Sequence, residues 1–152
     1  MFIQINSTAK DFPENSSTLI HNETASNENN FLLAKAFQNL DMLSQLPCNW
    51  DSHNGEKPSI KAINQAKLFF ISFKNFFSHL PNVLSSPNIT ANSEGDVVLE
   101  WWFNEKKLTI YITSEQISYI KVAGERIEDM EDGLLVPQNP NQLEDLFFWL
   151  IR

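Results

Sequence analysis

From Asp96 to Tyr119 apolar and polar side chains alternate with a period of two, the pattern of a half-buried strand rather than a helix. Val97, Leu99, Trp101 and Phe103 alternate with Asp96, Val98, Glu100 and Trp102. Leu108, Ile110 and Ile112 alternate with Lys107, Thr109 and Tyr111. A two-residue turn at Asn104-Glu105 pairs Trp101 with Leu108, Leu99 with Ile110 and Val97 with Ile112. All six then share one face, and a one-residue slip would turn a whole strand's apolar set to water, so the register is fixed. A second turn near Ser114-Glu115 brings Ile117 and Tyr119 onto the same face. Asn88 to Asn92 adds a strand across a turn at Ser93-Glu94-Gly95. The expectation is an antiparallel meander of three or four strands.

Helical spacing precedes and follows it. Leu33, Phe37, Leu40, Leu43 and Leu46 recur three and four apart, which predicts an amphipathic helix over 31–46. Pro47 ends it, because the residue before a proline is pushed out of the helical region. Residues 47–57 form a loop with an Asn54-Gly55 turn, and Pro58 suits the first turn of a second helix running to Leu80. Ile60, Ile63, Phe70, Phe73, Phe77 and Leu80 form its stripe, widened by Phe69 and Phe76, which predicts a deeply buried helix. Residues 123–138 read as an acidic loop. A last helix opens at Asn139-Pro140-Asn141-Gln142, with Asn139 as cap and Gln142 as its reciprocal partner. Leu143, Leu146, Phe147 and Leu150 form its stripe. The fold class is therefore α+β: two N-terminal helices, a meander and a C-terminal helix, with the helices on one sheet face.

Charge divides the chain differently. Residues 1–30 carry −3, residues 31–124 carry zero and residues 125–152 carry −5, making the net −8. Residues 6–30 are too polar to offset their ordering entropy, so 1–30 reads as a mobile polar arm and 31–152 as a single domain. Phe2, Ile3 and Ile5 offer a short edge strand. No basic stripe suited to phosphates is visible, so nucleic-acid binding is not expected; the Lys61, Lys67, Lys74 series reads as the wet face of a helix. The stretch from Ala66 to Leu80 is interrupted by Lys67, Lys74, Asn75 and His79, so no membrane span is expected. Cys48 is the only cysteine and reads as a buried structural thiol. With no signal-like N-terminus, the expectation is an acidic, soluble, cytoplasmic protein.

The loop sequence Asn49-Trp50-Asp51-Ser52-His53-Asn54-Gly55, followed by Pro58 and a helix, resembles a pattern in small uncharacterised bacterial and phage proteins. There a leucine-rich helix leads into Gly/Asn-Trp-Asp, a glycine, a proline and a second helix. A strand ending in an acid and a tryptophan follows, and Gly95-Asp96-Val97-Val98-Leu99-Glu100-Trp101 is similar to it. The first loop position is more often glycine and here is Asn49. The resemblance covers residues 31–122 and implies the α+β fold without implying an activity.

Two clusters bear on chemistry. Asp51, His53 and Glu56 combine groups that ligate divalent ions or move protons, the pattern of a small hydrolase or nuclease. Their bland reading is a structured turn, in which Trp50, Asp51, Gly55 and Pro58 hold the loop and Asp51 bonds backbone N–H groups two residues on. Glu100 would act as a general acid if its carboxyl were buried, but alternation points it outward, opposite Thr109. No P-loop or nucleophile-elbow spacing occurs, four glycines leave no phosphate-binding loop, and no cofactor or metal is expected.

Trp102 and Tyr111 fall on the face opposite Trp101, with Val98 and Ile120. Exposed aromatic patches mark partner surfaces, so this face predicts a protein partner or self-association. The acids Glu128, Asp129, Glu131 and Asp132 are a second candidate surface, for a basic partner. The sequence thus favours a small interaction or inhibitory module without catalytic activity, one version being phage- or mobile-element-linked.

Overall fold

The computed structural model describes residues 16–80, 84, 86–124, 126–136 and 138–152. The suggested strand at Phe2, Ile3 and Ile5 lies outside them, as does Glu125. Helix α1 is Ser16–Ser44, α2 is Ile60–Ser78 and α3 is Pro140–Ile151. The strands are β1 (Asn88–Ala91), β2 (Val97–Phe103), β3 (Lys106–Ile112), β4 (Ile117–Ala123) and β5 (Met130–Leu134). They form one antiparallel sheet in the order β1-β2-β3-β4-β5, so the fold is α+β.

The register follows the alternation: Trp101 pairs with Leu108, Leu99 with Ile110, Val97 with Ile112 and Ile110 with Tyr119. α1 packs on α2 and β1, while α2 and α3 pack on β2 and β3. The core lies between this helical layer and one sheet face. Trp101, 2% exposed, is its centre. Phe77 stacks on its ring at 6.0 Å and Phe147 meets it edge-on at 5.1 Å. The indole Nε1–H donates to the Leu84 carbonyl at 2.9 Å, so the one polar atom of this side chain is satisfied where water cannot reach.

Four readings are corrected. The helical backbone starts at Ser16, ahead of the apolar stripe, because a nucleated helix extends into polar sequence at small cost. Residues 123–138 are not a loop throughout: a 3-10 turn at Ile127–Asp129 leads into the fifth strand. β5 is secured by pairing to β4 and by Lys121 to Glu131 at 2.8 Å. Ser59, not the Pro58 region, opens α2: its hydroxyl accepts the Ala62 N–H at 3.1 Å, and Ile60, first in the helix, turns to solvent. Asn139 makes no side-chain cap to α3. Gln142 reaches back instead, accepting from the Val136 N–H at 2.9 Å and donating to the Leu134 carbonyl at 2.6 Å.

The C-terminal end of α3 is fastened to the β3–β4 hairpin. Lys106 Nζ donates to the Trp149 carbonyl at 2.8 Å, which suits the negative end of a helix. Lys106 and Lys121 also lie 5.3 and 5.4 Å from the Trp149 ring centre.

Candidate functional site

Two regions carry the candidate residues. The first is the loop between α1 and α2. Asn49, Ser52 and Asn54 all adopt positive φ, at 58°, 63° and 64°. Side-chain oxygens hold this tight path. Asp51 Oδ1 accepts the N–H groups of His53 at 2.9 Å and Gly55 at 2.7 Å, and Asn49 Oδ1 accepts that of Asn54 at 2.6 Å. These bonds, His53 first and then Gly55, hold the Asp51 carboxyl below its ordinary value by stabilising its charged form. A Cβ on Gly55 would lie 2.6 Å from the Asp51 carboxylate, so only glycine fits there undisturbed. Trp50 Nε1 donates to the Glu56 carbonyl at 3.1 Å. The Glu56 N–H donates to the Ser93 carbonyl at 2.9 Å, tying the loop to the β1–β2 turn. Pro58 is buried beneath it.

The structure therefore brings Asp51 and His53 together, but through main-chain atoms. The His53 ring bonds at Nδ1 to the Asp51 carbonyl oxygen at 2.7 Å, not to the carboxylate. Glu56 is engaged through its backbone and its side chain is exposed. Among the described residues no three His, Cys, Asp or Glu side chains gather as metal ligands would. Cys48, expected to be buried, is exposed in the turn that follows Pro47.

The second region is the sheet face away from the helices. Strand register places its side chains in three rows. Trp102, Lys107, Val122 and Met130 form one row. Asn88, Glu100, Thr109, Ile120 and Asp132 form the next. Thr90, Val98, Tyr111, Ser118 and Leu134 form the third. The centre is sealed by its own long side chains: Lys107 pairs with Glu100 and lies 4.7 Å from the Trp102 ring centre, and Thr109 beside them is buried. Glu100 is thus an ion-pair partner, outward as the alternation predicts. Around this centre Trp102 is 59% exposed, Leu134 56% and Met130 49%, with Tyr111, Ile120 and Val122 half-buried.

Of the acids in the 128–132 run, only Asp132 joins this face. Glu131 points to the helix side and pairs with Lys121, because neighbours on a strand alternate. Glu128 pairs with Arg126 at 3.2 Å in the 3-10 turn, which also holds Asp129. The acidic run is therefore split among three surroundings. Met130 and Leu134 were missed in the sequence because their segment reads as acidic loop. The spacing of Met130, Asp132 and Leu134 was the available signal, interrupted by Gly133.

No family model matches the chain, and neither a curated protein nor a solved structure matches it. No described helix is long and apolar enough to cross a membrane.

Proposed function

We propose that this chain is a small protein-interaction module, of binding or inhibitory kind, and that it meets its partner with the helix-free face of the sheet. The observation that carries this reading is the asymmetry of the sheet. Every described helix lies on one side, while Trp102, Met130 and Leu134 stand exposed on the other. Exposed aromatic and thioether side chains around a rigid centre are what partner-binding surfaces are made of. The face holds Lys107 against Glu100 and Asp132, a balance better suited to a protein than to polyphosphate.

A hydrolase built on Asp51, His53 and Glu56 has less support. The Asp51 carboxylate already accepts two N–H groups of its own loop, and the three side chains do not converge. The residues shared with the bacterial and phage pattern have scaffold work to do: Trp50, Asp51 and Gly55 shape a turn, and Trp101 fills the core. On this reading, membership of that group would bring a common fold and leave the partner to be set by the open face.

The test is capture of a partner from native lysate by wild type and by a Trp102→Ala/Leu134→Ser variant. A stoichiometric partner held by wild type and lost by the folded variant is the expected result. A partner retained by the variant would refute the assignment to this face.

A further inference from the structure

A different surface carries a second, independent conclusion. α2 contains Lys61, Lys67 and Lys74 and no acid, in a chain of net charge −8. Its outer side leaves Leu68 61% exposed, with Ile60 and Ile71 exposed beside it at helical spacing. α3 is its opposite. It contains Glu144 and Asp145 and no base, and Phe148 (51% exposed) and Ile151 stand out from it. The two helices touch through Phe76, Phe77 and Phe147. Towards the β3–β4 turn, a groove of about 530 Å³ runs along α2, with Phe69, Phe73 and Ile117 among its lining, Leu68 beside them and Lys61 at its end.

We infer that the chain associates with a second copy of itself through the helical layer, α3 of each copy packing against α2 and its groove in the other. Charge selects this occupant. Lys67 is engaged by Asp41 at 2.6 Å and Lys74 lies on the α1 side of the helix, but among the described residues Lys61, at the groove, and Glu144 and Asp145 have no ionic partner. Setting α2 against a second α2 would oppose lysine to lysine, and α3 against α3 would oppose acid to acid. Only the crossed arrangement matches both the charge and the exposed apolar side chains. A two-fold axis makes that contact twice, so a modest contact becomes a closed pair rather than an open chain.

The experiment is sedimentation equilibrium on the full chain over a wide dilution series, with two charge-reversed variants. One carries Lys61→Glu, the other Glu144→Lys and Asp145→Lys. Each alone faces like charge across the interface, and its dimer Kd should rise at least about tenfold. Mixed together, each variant's altered helix meets an opposite charge, and a mixed dimer should form within about threefold of the wild-type Kd. That recovery also shows that both variants are folded. A monomeric wild type, reversals without effect, or variants that fail to pair when mixed would each overturn the inference. So would a dimer that ignores the reversals and dissociates on Trp102→Ala, which would put the contact on the sheet instead.

Discussion

Trp101 and Trp102 are neighbours in the chain and differ only in which side of the sheet they take. Trp101 has Phe77 and Phe147 against its ring and a carbonyl for its indole N–H. Trp102 has one lysine beside it and water over most of its surface. The residue type says nothing about this difference; the pleat of β2 and the placing of the helices decide it. On the covered face a large aromatic is held by partners from two helices. On the open face the same side chain stays largely exposed.

The sharpest way to break this contrast is to shorten each tryptophan. Trp101→Ala removes a fully packed ring and strands the Leu84 carbonyl, and should cost about 3–5 kcal/mol in urea unfolding. A cost under about 1 kcal/mol would mean that the covered face is not the core. The α1–α2 loop is the intermediate case. Because Asp51 is held below its ordinary value, its contribution to stability is present above the usual aspartate range and lost as pH falls through the lower folded value. Melting curves from neutral pH into acid should therefore show a stability loss at the acid end that Asp51→Asn reduces; an unchanged acid limb would remove Asp51 from its place in the turn. Trp102→Ala should be the mildest, about 0.5–1 kcal/mol for the lost contact with Lys107. A cost near that of Trp101 would erase the distinction between the faces.

The parts of the fold that were legible are those in which one periodicity runs without conflict. The β2–β3 register was readable because six apolar residues agreed on one face, and the aromatic stripe of α2 was readable for the same reason. β5 was not. Met-Glu-Asp-Gly-Leu has a strand's spacing but an acidic loop's composition, and it becomes a strand through β4 pairing and through Lys121, which lies outside the segment itself. Ile60 fits the α2 spacing, yet the cap at Ser59 starts the helix with Ile60 turned away from the core. In the candidate site, Trp102 and Tyr111 followed from alternation. The separation of Glu131 from Asp132 required knowing that their segment is a strand. Asp51, His53 and Glu56 looked like a cluster because they are close in sequence, but a tight turn can keep close neighbours bonded to backbone rather than to one another.

The order of the sheet has a consequence for how the molecule is made. Each strand after β1 pairs with the one just before it in the chain, across connections as short as Asn104-Glu105. Such neighbour-to-neighbour pairing has a small loop-closure cost, and α1 and α2 precede the whole sheet in the chain. Phe147 comes later. Until α3 docks, the Trp101 indole lacks one of its two aromatic walls, and the interior stays open on that flank. α3 is thus the latch of this core: it follows the sheet in the chain, and its Phe147 closes the flank of Trp101 that α2 leaves open.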